Sequence, residues 1–155
     1  VKTFKDNQLR EWAISVDVAA VKRVKSLLGV NLLEIAEGKL LDLLISDPVL
    51  LCDIIYCLVK PEADAKQVSD EDFGRAMGGD SLDHATAALL GELVGFFPQG
   101  KRRVLTRAVD KLRKLEARAV DYAEKRLESP ELERQFEAEL ARLSDSSGGL
   151  PESSE

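Results

Sequence analysis

The chain has 155 residues, 45% of them hydrophobic and only 5% aromatic, and a formal net charge of −6. That length suits one domain with a tail and is enough to bury a sizeable core. The acidic balance argues against bulk attraction to nucleic acid or an anionic membrane. With five Phe, two Tyr and one Trp, the core has to be built mainly from Leu, Val, Ala and Ile, as in a helical bundle.

Residues 2–16 carry the strand signal. Trp12, Ile14 and Val16 alternate with Ala13 and Ser15, and Asp6-Asn7 offers a turn. A hairpin of strands 3–5 and 9–16 is predicted, anchored on helices by Phe4 and Trp12, because two strands alone are marginal. Asp17 then caps a helix to about Leu28 with Val18, Val21, Val24, Leu27 and Leu28 inward, and Gly29 closes it. A second helix is predicted from Asn31 or Leu32 to Ile45, with Leu33, Ala36, Leu40, Leu41 and Leu44 inward and Gly38 inside the pattern.

Asp47-Pro48 is a cap followed by proline at the first helical position. The stretch VLLCDIIYCLV that follows is apolar nearly all round, which places helix 49–59 at the bundle centre. Lys60-Pro61 is expected to end it, and 62–67 reads as a polar linker. Ser69 caps a short helix with Asp70, Glu71 and Asp72 in its first turn. Gly78-Gly79 breaks the chain there, one of them at positive φ. Asp80 is expected to cap the next helix, in which Leu82, Ala85, Leu89, Leu93 and Phe96 form a buried stripe ending at Pro98.

After a turn at Gln99-Gly100, a long helix is predicted over 101–127. Leu105, Ala108, Leu112, Leu115, Ala119 and Tyr122 recur at steps of three and four, a heptad seam. Ser129-Pro130 opens a last amphipathic helix with Leu132, Phe136, Leu140 and Leu143. The seam either packs on that helix or meets a partner. Residues 144–155, SDSSGGLPESSE, are expected to be disordered. The predicted fold is mainly α: a helical bundle with a small N-terminal β-hairpin and a long C-terminal helix. Its parts are 1–98 (hairpin plus helical core), 99–143 (long helix and C-terminal helix) and the tail 144–155.

No catalytic, cofactor or metal site is read from the residues, and the chain is not read as an enzyme. His84 is the only histidine and has no nucleophile or acid at a recognisable spacing. Cys52 and Cys57 stand about 140° apart on a helix, poorly placed to share a metal or to bridge, and suit a reducing compartment. The acids at 70–72, 80 and 83 fall at helix N-termini, where the dipole favours them. The AMGGD step lacks the strand and the Lys-Ser/Thr of a phosphate loop. No apolar run approaches the ~20 residues of a membrane span, and no signal-peptide pattern is expected.

The charge pattern of the long helix is the remaining signal. Residues 101–118 hold eight cationic side chains against Asp110 and Glu116, a surplus of six, whereas from 119 onward ten acids face four bases. The basic stretch reads as a solvated face, as a surface for an acidic partner or a second copy, or as a DNA contact. No aromatic side chains interleave it, which disfavours nucleic acid. The candidate partner-binding residues are Arg103, Leu105, Arg107, Lys111, Leu112 and Leu115.

Three stretches carry a resemblance: FKDNQLREWAISVDVAAVKRVKSLLGVNLLE, LISDPVLLCDIIYCLVKP and SDEDFGRAMGGDSLDHATAALLGELVGFFP. They resemble a family of small phage and prophage tail-cluster proteins. Its members read D-x-x-G-R-x-W in a hairpin, then V-x-x-L-L-x-V-x-L, then D-E-x-F-G-R-A-x-x-G-D-x-(I/L)-x-x-A. Here the hairpin carries Asp6, Asn7, Arg10 and Trp12, with Gln8 and Leu9 where glycine is often found, and the match covers roughly residues 3–115. The resemblance implies a tail assembly chaperone in the cytoplasm of a bacterial host, binding the tape-measure protein or another helical phage protein and recruiting tail-tube subunits. It supplies no functional residue set. The alternative is a DNA-binding regulator or packaging accessory that uses 101–118.

Overall fold

The computed structural model describes residues 1–146. Two compact units appear, Val1–Val109 and a second beginning at Asp110. Strands β1 (Lys2–Lys5) and β2 (Glu11–Ile14) are followed by α1 (Val18–Leu28), a 3-10 helix (Leu32–Glu37), α2 (Lys39–Ser46), α3 (Pro48–Ala65), α4 (Asp70–Arg75) and α5 (Asp80–Phe96). Then come α6 (Gln99–Leu127) and α7 (Pro130–Ser146). The fold is mainly α with one small antiparallel hairpin and a long C-terminal helix.

The hairpin is shorter than the alternation suggests, because residues 6–10 form a loop built on one side chain. Phe4 pairs with Trp12 across the strands. Asp6 is buried. Its Oδ1 accepts from the backbone N–H of Gln8 at 2.9 Å and of Arg10 at 3.0 Å, and its Oδ2 from Arg10 Nε at 2.7 Å and Trp12 Nε1 at 2.8 Å. The loop then docks on the α4–α5 connection. Asn7 N donates to Ala76 O at 2.9 Å and Asn7 Nδ2 to Gly78 O at 3.3 Å, while Arg10 Nη2 donates to Asp72 O at 3.3 Å. Trp12 meets Phe73 of α4 edge to face, ring centroids 5.2 Å apart. The hairpin loop and the α4–α5 connection are thus halves of one lock.

Leu9 holds that loop at φ 62°, a left-handed conformation that costs a side chain with a Cβ about 1–2 kcal/mol. Its side chain is exposed and earns no packing in return. Leu9→Gly should therefore stabilise the chain by up to about 1 kcal/mol after glycine's own entropic cost of about 0.5–1 kcal/mol. A urea midpoint that falls in this variant would show that the loop does not need glycine's freedom.

The central helix α3 corrects one expectation. It passes through Pro61 to Ala65 instead of stopping at Lys60. Proline removes the N–H that Cys57 O would accept, and Arg23 of α1 replaces it: its Nη1 donates to Cys57 O at 3.1 Å and Leu58 O at 3.3 Å. The added turn protects the edge of β2. Glu62 Oε2 accepts from Ala13 N at 3.0 Å, and Lys66 Nζ donates to Glu11 O and lies 4.6 Å from the Trp12 ring centroid. Residues 62–65 are helix, not linker. Leu51, Ile54, Ile55, Leu58 and Val59 are buried, and α3 packs on α1, α2, α4, α5 and β2, so it is the centre of the first unit.

Other local differences have local causes. The predicted helix from Asn31 to Ile45 splits at Gly38, φ 86°, into the 3-10 helix and α2. The 3-10 turn aligns residues three apart, so Leu32 and Ile35 are buried instead of Leu33 and Ala36. Val18 and Leu27, at the ends of α1, are exposed. Gly79, at φ 54°, is the N-cap of α5; Asp80 is already helical and caps nothing. Within α5, Ala85, Leu89 and Leu93 are buried, and Leu82 and Phe96 only in part. Gln99 and Gly100 belong to α6. Of the predicted tail, residues 144–146 are the last of α7, and 147–155 lie outside the described residues.

Candidate partner-binding surface

The basic start of α6 is only partly available to a partner. Arg102 bonds backward, its Nε to Phe97 O at 3.3 Å and its Nη2 to Gly95 O at 2.9 Å. It thereby satisfies carbonyls at the end of α5, an arrangement suited to a cation beside a helix C-terminus. Arg103, Arg107 and Lys111 are exposed and form no ion pair among the described residues.

Leu105 corrects the candidate set. It is 4% exposed, and Val109, one turn on, is 7% exposed. Both belong to the core of the first unit, so Leu105 cannot offer its side chain to a partner. Leu112 is half-buried and Leu115 is exposed. The first two turns of the seam are therefore core, and the free surface starts about where the second unit does.

Within the second unit the apolar pattern of α6 continues while its burial stops. Leu115 and Tyr122 of the seam are exposed, Tyr122 at 66%, and so are Val120 and Leu127, which lie on another side of the helix. Helix α7 buries none of its residues. Phe136 and Leu140 are each 64% exposed, and Leu143 is exposed as well. The two helices meet at an elbow, where Tyr122 and Arg126 of α6 and Leu132 and Gln135 of α7 line a shallow cleft. The arrangement in which the seam packs along α7 of the same chain is not the one adopted. The candidate set of partner-binding residues leaves out α7, whose apolar spacing of four, four and three is legible but fits packing on α6 and an exposed surface equally well.

Large apolar side chains at helical spacing that face solvent mark a place where another helix can bury them. At about 25 cal/mol per Å² of apolar area removed from water, such a stripe is a source of affinity that isolated surface leucines do not provide. Basic side chains beside such a stripe favour an acidic partner over a neutral one.

The first unit offers a less reactive setting. Cys52 lies beside Asp53 and Asp70 in a groove that includes the exposed Val49. Burial, then the nearby Asp53 and Asp70 carboxylates, push its thiol up to about 11, so at neutral pH it is protonated and a poor nucleophile. Burial, then Asp70 and Asp47, also raise Asp53. His84 is exposed. Among the described residues no group of three or more His, Cys, Asp or Glu is placed to hold a metal ion. No helix there is long and apolar enough to cross a membrane.

Compared with protein-family models, curated proteins and solved structures, the chain matches none.

Proposed function

We propose that this protein is an assembly chaperone that holds a helical client, and that the client is a phage or prophage tape-measure protein met in the cytoplasm of a bacterial host. The observation that carries the reading is the uncovered apolar stripe that runs along α6 beyond Val109 and along α7. A second support is the resemblance of residues 3–115 to small tail-cluster proteins. A long helical client needs an extended apolar surface with flanking charge, which these helices supply.

The test is capture of purified tape-measure segments by the full chain. Two variants accompany it: Arg103, Arg107 and Lys111 all changed to Glu, and Leu115→Glu combined with Tyr122→Glu. Both are surface changes, and circular dichroism checks that helicity is kept. Capture should weaken at least about tenfold, the equivalent of 1.4 kcal/mol, in the apolar variant. Unchanged capture by both variants would remove α6 from the binding surface. Binding of duplex DNA with a steep salt slope, and no client capture, would instead assign 101–118 to phosphate contacts.

A further inference from the structure

The uncovered stripes of α6 and α7 match one another in three respects. The first is spacing. Leu115, Ala119 and Tyr122 of α6 recur at steps of four and three, and Phe136, Leu140 and Leu143 of α7 do the same, which keeps each set on one side of its helix. Run antiparallel, they bring Leu143 to Leu115, Leu140 to Ala119 and Phe136 to Tyr122. The second is charge. The stretch 115–127 of α6 holds three acidic and three cationic side chains, so the match is position by position rather than one of net charge. In that register Asp145 comes beside Arg113, Arg142 beside Glu116, Glu139 beside Arg118, Arg134 beside Glu124 and Glu133 beside Lys125, and Glu137 with Asp121 is the like-charged pair.

The third is the link between them. Only Glu128 and Ser129 separate the helices, and Glu128 N and Ser129 N still donate back to Glu124 O at 3.1 Å and Arg126 O at 3.3 Å. Pro130 then locks its own φ. Antiparallel helix pairs use links of about 2–5 residues, so this one is at the lower limit. Short hinges of that kind favour closure on another copy over closure on the same chain.

We propose that two copies of this chain pair by exchanging α7, the last helix of each lying antiparallel along α6 of the other. The occupant of the stripe is then a second copy whenever no client holds it. The exchange depends on no particular client. It accounts for an acidic helix that is apolar on one face and buries nothing in its own chain.

The experiment uses the full chain alone, with mass by light scattering. The expected mass is twice that of the chain, falling toward the chain mass on dilution. Chains carrying Ala119→Cys are then mixed with chains carrying Leu140→Cys and oxidised, with the parent chain as a control for Cys52 and Cys57. A covalent dimer should form in the mixture and not in either variant by itself. Inserting Gly-Ser-Gly-Ser after Ser129 should let α7 close on its own α6 and return the mass to that of one chain. The chain mass at every concentration overturns the proposal. So does a covalent dimer formed equally well by Ala119→Cys alone, which would mean α6 on α6. A dimer that survives the longer link also overturns it. Loss of the dimer with client capture intact removes the exchange and leaves the chaperone reading standing. The dimer without any client capture does the reverse.

Discussion

Asp6→Ala is expected to destabilise the protein by about 3–5 kcal/mol, the usual consequence of removing one partner from a buried, hydrogen-bonded charge pair. The carboxylate takes four hydrogen bonds, two from backbone N–H groups and one each from Arg10 and Trp12. Alanine leaves Trp12 Nε1 buried without an acceptor and frees the loop that seats Asn7 on Ala76. Against a typical total of about 5–15 kcal/mol, that loss is a large fraction, and urea unfolding at neutral pH measures it. A loss below about 1 kcal/mol would mean that the loop is held by its docking on α4 rather than by the carboxylate.

The same group makes stability depend on acid. Burial pushes the Asp6 carboxyl up, but the hydrogen bonds from Trp12, from the Arg10 side chain and from the backbone of Arg10 and Gln8 outweigh it and hold the pKa below its usual 3.8. A group whose folded pKa is depressed favours the folded state above its unfolded value, and loses that contribution as pH falls through the folded one. Parent stability should therefore drop below about pH 4, and Asp6→Asn, which keeps an acceptor oxygen without the charge, should flatten this group's share of the drop.

Ile54→Ala is the second large change, at about 2–5 kcal/mol for a buried aliphatic in a helix enclosed on several sides. Ile54 is fully buried in α3, and the elements packed on α3 come from both ends of the first unit. Partial collapse around the cavity decides where in that range the value falls. Val49 on the same helix is 70% exposed, so Val49→Ala should stay within about 0.5 kcal/mol. Thermal or urea unfolding of the pair reads the orientation of α3 directly. Equal losses at the two positions would mean that the helix does not present the face described.

What could be read from residues alone was what depends on near neighbours. Asp17, Asp47 and Ser69 each accept from a backbone N–H two or three residues ahead, so these caps are visible in the order of residues. The same is true of Pro48 at the start of α3, of Phe4 and Trp12 as the anchors of the hairpin, and of the amphipathic stripes. Two features were decided elsewhere in the molecule. Helix α3 survives Pro61 because Arg23, more than thirty residues earlier, supplies the missing donor, and no local pattern records that. The carboxylate of Asp6 looks like an ordinary turn residue until Trp12 and Arg10 close over it.

The candidate surface shows the same division most clearly. The seam Leu105, Ala108, Leu112, Leu115, Ala119, Tyr122 has one unbroken spacing, and Leu132, Phe136, Leu140 and Leu143 repeat the theme on α7. The sequence by itself determined that these helices have an apolar side and that their charges are opposite. Only the tertiary structure decided that Leu105 and Val109 are core while Tyr122, Phe136 and Leu140 face solvent. The physical reason is that helical periodicity records which side of a helix is apolar, whereas burial depends on whether another element reaches that side, and along α6 the core of the first unit ends at Val109.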